Sequence, residues 1–204
     1  MSPQGIMNKR LIFWLFSFSS CDTIHQIKGV KLGMGIDEII SLVPYDEQWP
    51  ILFQNEKVNL LKAFGDDVID IEHFGSTSVH GMFAKPIIDL LIGVKTLELN
   101  SYVTNKLIKL GYEGFGETGV KGRLYFRKRQ EHAYNLAVVI WNGEQWVNNL
   151  LIRNYLRDNP HAAQQYCEKK LNAIHKGYTT LLSYSDEKAD YVSNLLEQAK
   201  KSLG

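Results

Sequence analysis

The stretch Glu72-His73-Phe74-Gly75-Ser76-Thr77-Ser78-Val79, followed by Lys85-Pro86-Ile87-Ile88-Asp89-Leu90-Leu91-Ile92-Gly93-Val94, decides how this chain is read. Val68 to His73 alternates Val68, Asp70 and Glu72 against Ile69, Ile71 and His73, the period of a half-buried strand. Gly75 to Gly81 is a small-residue loop that opens a short helix. Ile87 to Val94 is almost wholly apolar, as a strand in the middle of a sheet covered on both faces should be. Gly75 lets backbone come close to a phosphate, Ser76, Thr77 and Ser78 offer hydroxyls, and the amides of a helix start point at an anion. Asp89 sits inside the apolar run, where an unpaired charge is costly, so it calls for a cation or several donors. A divalent metal meets that need; so does a salt bridge to Lys85 or Arg123. On residue types alone the loop reads first as a capped turn, with a phosphate cradle as the other reading.

Outward from this stretch, Val43-Pro44-Tyr45-Asp46 is an extended entry with Asp46 as helix N-cap. A helix then runs to about Phe64, with Leu52, Phe53, Glu56, Leu60, Leu61 and Phe64 on one face. A second helix is expected from about Leu97 to Leu110. Gly111 to Gly122 holds five glycines and reads as a turn-rich loop or hairpin. Arg123–Lys128 and Tyr134–Trp141 read as antiparallel strands, and three helices follow at about Gln145–Asp158, His161–His175 and Asp186–Lys200. The class is α+β: a mixed sheet packed with helices and ending in a helical C-terminal part. On their strand Arg123, Tyr125 and Arg127 share a face, which can grip a phosphate and stack on a base, or serve as a charged strand edge. Arg153 and Arg157, one helical turn apart, read as surface pairing. His132, His161 and His175 lack metal-ligand spacing, and Cys167 reads as an inert thiol.

Composition narrows the class. Hydrophobic residues at 45% and charged residues at 22% exclude wholesale disorder and fibrous architecture. Lys plus Arg is 23 against 22 for Asp plus Glu, a net charge of +1, so there is no strong nucleic-acid signal. Two cysteines, Cys21 and Cys167, are too few for a disulfide scaffold and suit a reducing, cytoplasmic setting. One domain is expected over residues 41–204, after an N-terminal extension over 1–40. In that extension Lys9 and Arg10 precede the apolar run Leu11–Phe18, then Ser19, Ser20 and Cys21. The run is too short to span a bilayer, so no transmembrane segment is expected. It reads as sequence upstream of a true start at Met34, with export or lipid anchoring through residues 9–22 as the alternative. Lys28–Gly35, with three glycines, reads as a linker.

The central stretch closely resembles the GrpB family signature, H-x-G-S-T-S-V-x-G-x-x-A-K-P-I-I-D. His73, Gly75, Ser76, Thr77, Ser78, Val79, Gly81, Ala84, Lys85, Pro86 and Asp89 stand in that register. Val43-Pro44-Tyr45-Asp46 with Trp49-Pro50 looks like the family's opening. Gly119–Lys128 looks like its G-x-x-G-R-x-x-F-R-K element, and Arg153–Arg157 with Pro160 like its helical R-D-Y-L-R element. The resemblance covers about Leu42 to Leu196.

It implies a nucleotidyltransferase-like fold. In that superfamily a Gly-Ser turn holds a nucleoside triphosphate, and two acids in a D-x-D pattern, with a third from a later strand, hold two Mg²⁺ ions. By this resemblance Asp89 is the catalytic residue and metal ligand. Gly75, Ser76, Thr77, Ser78, Lys85, Arg123, Arg127 and Asn135 are the phosphate- or nucleotide-binding set. The chain departs from the pattern at two places. Leu91 stands where the second acid belongs, and the later strand offers Asn135 and Ala137, where relatives often carry histidine in place of Ala137. Glu72 and Glu117 are the remaining candidate ligands. The expectation is a protein that binds a nucleotide or another phosphorylated small molecule, as a Mg²⁺-dependent nucleotidyltransferase with an incomplete metal site. The alternative is a non-catalytic binding or regulatory domain on the same fold.

Overall fold

The structure, a computed structural model, describes residues 37–118 and 120–203. The apolar run Leu11–Phe18, Cys21, the linker Lys28–Gly35 and the start at Met34 lie outside the described residues. Asp46 ends the extended entry by accepting the Gln48 amide at 2.8 Å, and helix α1 runs Gln48–Phe64. It buries Trp49, Phe53, Leu60, Ala63 and Phe64 on one side. Strand β1 (Val68–Phe74) leads through a 3₁₀ turn at Ser76–Ser78 to β2 (Ile87–Val94). Helix α2 (Ser101–Lys109) follows, capped by the Asn100 carboxamide oxygen on the Val103 amide at 3.0 Å. Next come β3 (Glu113–Gly114), β4 (Arg123–Arg129) and β5 (Ala133–Ile140), then α3 (Glu144–Asp158), α4 (Pro160–His175) and α5 (Leu181–Lys201).

The strands form one five-stranded sheet in the order β1-β2-β5-β4-β3. β2 and β5 run parallel and the other pairs antiparallel, so the sheet is mixed and the α+β expectation holds. β2 lies between β1 and β5 with helices on both faces, which is why its sequence is nearly all apolar. One face carries Ile71, Leu90, Ile92, Leu136 and Val138 against α1 and α2. The opposite face carries Phe74, Leu91, Ala137 and Val139 against Trp146 of α3. Beyond it α3, α4 and α5 share a core of Ile152, Leu156, Tyr166, Val192 and Leu195.

Three elements differ from the expectation. Helix α2 begins at Ser101, four residues after the expected Leu97, where the Asn100 side chain caps it. In β1 the register shifts between Val68 and Asp70, a bulge that turns Ile69 outward to 40% exposure. Helix α5 begins at Leu181, five residues before the expected Asp186. Its first amides are satisfied from the far end of the chain: Leu181 N–H donates to the Glu38 carbonyl (2.8 Å) and Leu182 N–H to the Asp37 carboxylate (2.9 Å). Thr180, extended and directly before the helix, is its N-cap residue, but its side chain makes no capping bond, and the N-terminal strap supplies the acceptors instead. No helix among the described residues is long and apolar enough to cross a membrane.

Candidate functional site

The Gly-Ser loop is pressed onto Asp89. β1 ends opposite Asp89, with Phe74 as its strand partner, and Gly75 then turns the chain with φ +70°. A Cβ at position 75 would lie 2.5 Å from Asp89 Oδ2, so only glycine permits both the turn and the approach. The loop's shape is fixed by its own hydroxyls. Ser78 Oγ donates to the Gly75 carbonyl at 2.6 Å, and Thr77 Oγ1 donates to the Ile87 carbonyl and shares a 3.0 Å hydrogen bond with His73 Nε2. His73 stacks on Phe53, with ring centroids 4.8 Å apart. Burial, helped by the positive Arg157 and Arg153, pushes its pKa down to about 3, so the imidazole is neutral and positions Thr77.

Arg153 is not a surface residue, and Arg157, though exposed as expected, is tied to the same loop. Arg153 is 9% exposed, donates to the His73 carbonyl at 3.0 Å, and is hydrogen-bonded to the Glu72 carboxylate. Arg157 forks onto the Ser78 carbonyl at 3.0 and 2.8 Å. Both guanidinium groups reach from α3 to backbone that brackets the loop. Carbonyls facing into the protein need donors, and helix spacing puts two arginines one turn apart where they can supply them.

Asp89 is partly exposed and heads a polar chain along the sheet face. Its Oδ1 accepts from Asn135 Nδ2 at 2.7 Å, and the Asn135 carboxamide oxygen accepts from Tyr125 Oη and Arg129, each at 2.9 Å. Arg129 in turn forks onto Glu38 at 3.0 and 2.8 Å. Burial pushes the Asp89 pKa up, and Lys85, Asn135 and Arg129 only partly offset it.

Three lysines share a cavity with this carboxylate. Lys85, Lys170 and Lys188 line one small cavity with Ser76, Thr77 and Asp89. The cavity gives a water's centre about 10 Å³, room for about one water. Lys85 precedes β2, Lys170 comes from α4 and Lys188 from α5, and they are 8%, 1% and 2% exposed. Lys170 Nζ donates to Ser76 Oγ at 3.1 Å and to the Phe83 carbonyl. Lys188 Nζ lies 4.1 Å from the Tyr184 ring centroid and donates to Tyr166 Oη at 3.4 Å. Burial lowers all three pKa values, to about 8 for Lys85 and for Lys170, and well below the ordinary range for Lys188, where Lys170 and Lys85 add repulsion.

The other expected residues divide. Gly75, Ser76, Thr77, Lys85, Asp89 and Asn135 come together, and Ser78 stands behind the loop. Arg123 does not join them. It sits opposite Val139, four residues along the sheet from the Asn135 row, or about 13 Å. Its guanidinium donates to the Glu117 and Thr118 carbonyls at 3.1 and 3.4 Å, holding the glycine-rich loop. Arg127 faces Phe115 and Glu113, at 4.7 Å from the ring centroid and 3.7 Å from the carboxylate. The Arg-Tyr-Arg face exists, but Tyr125 spends its hydroxyl on Asn135, and the two arginines brace the β3–β4 region.

Mg²⁺ fits this donor set poorly. Leu91 is 0% exposed and Ala137 2%, both inside the apolar cluster with Phe74, Val139 and Trp146. Glu72 is held by Arg153, and Glu117 accepts the Gly122 amide at 2.9 Å. No group of three His, Cys, Asp or Glu side chains with metal-holding geometry occurs among the described residues. One carboxylate ringed by ammonium groups is not a site for a resident metal pair.

The model of the GrpB protein family matches residues 39–198. The chain belongs to the GrpB family. A glutamate-rich protein GrpB of Alkalihalophilus pseudofirmus is 34% identical over 173 residues, covering 82% of this chain and 99% of that protein. The UPF0157 protein YqkA of Bacillus subtilis is 32% identical over 190 residues, covering 90% of this chain; the chain spans only 55% of YqkA's length. The crystal structure of a conserved GrpB protein from Enterococcus faecalis superposes with TM-score 0.73 at 29% identity, over 80% of this chain and 99% of that one.

Sequence reasoning missed Lys170 and Lys188 in this GrpB chain, although a signal was present. On α4 the buried positions Ala163, Tyr166, Lys170 and Ala173 share one stripe, and on α5 Leu181, Tyr184, Lys188, Val192 and Leu195 do the same. A lysine on an apolar stripe at helical spacing is the exception that marks a site.

The lysines also set a pH dependence. Lys85 faces Asp89, Glu38 and Arg129, and Lys170 faces Cys167, Lys85 and Ser76. Their folded pKa of about 8 lies below the ordinary 10.5, so between those values the unfolded chain binds more protons. Stability should therefore rise as pH increases through that window, the cost of burying charge being greatest below about 8. Urea unfolding near pH 7 and near pH 9.5 should give the higher midpoint at the higher pH, by roughly 1 kcal/mol or more. A flat or falling profile would mean that these ammonium groups are well solvated.

Proposed function

We propose that this GrpB protein binds a nucleotide or another phosphorylated small molecule against the Gly75–Ser78 loop, acting as a binding or regulatory domain. The observation that carries this reading is the convergence of Lys85, Lys170, Lys188 and the Ser76 hydroxyl on one cavity beside that loop. Cations drawn from three separate elements are not a local charge run, and burying them is costly unless they meet an anion. Phosphate oxygens would take bonds from Ser76 Oγ and the ammonium groups, while Asp89 and Asn135 orient the polar wall. Nucleotidyl transfer is the second reading, suggested by the loop-to-Asp89 arrangement, but Leu91 and Ala137 speak against it by packing where further carboxylates would have to stand. A buried free thiol at Cys167 supports a cytoplasmic setting.

Ser76→Glu tests this. The new carboxylate would reach the Lys170 ammonium and occupy the place of the ligand's anion. Nucleotide and phosphate binding should fall by about a hundredfold or more, roughly 3 kcal/mol, with the fold kept. Thermal shift against a panel of nucleotides and phosphorylated metabolites measures it. A variant that responds like the parent places the ligand elsewhere.

A further inference from the structure

A pair of divalent cations and a cluster of ammonium groups do the same electrostatic work on a phosphate: both neutralise its oxygens and hold them in place. We propose that Lys85, Lys170 and Lys188 stand in for metal ions in this chain, so that the site takes a dianionic phosphoryl group without a metal. This rests on the reading of the site as a phosphate site and names how the ligand is held.

The charge inventory sets the ligand class. The side chains lining the cavity include three lysines and one carboxylate, an excess of two positive charges once an arriving anion holds all three lysines protonated against their burial. A phosphate monoester, or the terminal phosphoryl group of a nucleotide, carries about two negative charges near neutral pH. The geometry agrees. Lys170 already donates to Ser76 Oγ on the loop, and Asp89, the single acid of the set, is backed against Gly75 and fastened by Asn135. Across the same sheet face, where a metal pair would need its remaining acids, Leu91 and Ala137 are packed with Phe74 and Trp146. Two of the three cations come from α4 and α5 and the third from the residues before β2, while the sheet positions themselves are apolar. The cavity holds about one water, so a phosphoryl group enters by pushing aside the flexible ends of lysines rather than backbone. Repulsion among the ammonium groups then turns into attraction to the shared anion.

Calorimetric titration of the full chain with ATP and with inorganic phosphate, each in EDTA and in excess Mg²⁺, tests the proposal. ATP should bind in EDTA at least as tightly as with Mg²⁺, because the metal cancels ligand charge that the lysines would use. Lys170→Met and Lys188→Met should each weaken binding in EDTA by about ten- to hundredfold, the worth of a charge-assisted bond. Lys188→Met should raise the melting temperature of the ligand-free protein, since it removes a buried cation that Lys170 and Lys85 repel, whereas Lys170→Met also strands the Phe83 carbonyl and should gain less. If one variant fails to fold, the other still decides. Binding that appears only with Mg²⁺ overturns the replacement of metal and leaves the phosphate reading standing. Binding in neither buffer overturns both. Methionine variants that bind like the parent show that the lysines do not hold the ligand.

Discussion

Arg153→Met should lower the unfolding free energy by about 3 kcal/mol, the low end of what breaking a buried ion pair costs. The Arg153 side chain is 9% exposed, whereas its partner Glu72 is 32% exposed, so the stranded carboxylate keeps some water and the loss stays at that end of the range. The His73 carbonyl also loses its 3.0 Å donor, directly before the Gly-Ser loop. The same variant should therefore loosen the loop and weaken phosphate binding, although residue 153 need not touch the ligand. Arg157→Met is the matched control. It strands no carboxylate and removes bonds only to the Ser78 carbonyl, so about 1–2 kcal/mol is expected. Urea unfolding of the two variants beside the parent gives the comparison. An Arg153→Met midpoint within about 0.5 kcal/mol of the parent would mean that the arginine behaves as a surface residue.

Much of the fold is legible because its signals are local. The apolar run Ile87–Val94 can only be a strand covered on both faces, and β2 is one. Asp46 and Asn159-Pro160 mark helix boundaries with a side chain or a ring that acts within a few residues, whereas the cap at Asn100 escaped the pattern, which puts the start of α2 near Leu97. The start of α5 is only partly local: Thr180 stands at its N-cap, but the groups that accept its first amides are Asp37 and Glu38, far away in sequence. The bulge after Val68 escaped for a related reason, since an alternating sequence does not say where pairing slips.

The site divides in the same way. The Gly75–Ser78 loop and Asp89 follow from one stretch of chain, and Gly75 has the physical reason the sequence suggested, its closeness to an anionic group. That group is the protein's own Asp89 carboxylate and not the phosphate for which the sequence suggested a glycine. Arg123 and Arg127 attract notice in the sequence as a dense basic run, yet the sheet carries them to the loop that follows β3. Lys170 and Lys188, each lone in its helical stripe, were passed over because a single lysine in a helix usually lies at the surface. Which helix packs over which sheet face decides their role, and that is a tertiary fact.

Leu91→Asp should have the largest effect of any single change considered. Side chains 89 and 91 point to the same sheet face, so the substitution rebuilds an acid pair at positions i and i+2. Leu91 is 0% exposed and packs with Phe74, Ala137, Val139 and Trp146, which offer a carboxylate no donor from their side chains save the indole N–H. The lost apolar burial costs about 1.5–3 kcal/mol, and an unpaired buried carboxylate adds several more. For a chain of this length that predicts a fall in melting temperature of roughly 10–20 °C. Mg²⁺ with ATP should recover part of the loss, because a ligand that binds only the folded state adds stability by mass action. Leu91→Asn separates the two terms: it loses the same packing without the charge, so it should be less destabilised and should not respond to metal. The parent should show little metal-dependent rise in melting temperature at fixed ATP, since its cations are built in. A parent that responds to Mg²⁺ as strongly as Leu91→Asp would require another residue to complete a metal site. Glu72 is then the first to examine, because it lies opposite Leu91 on β1, and Arg153 would have to release it.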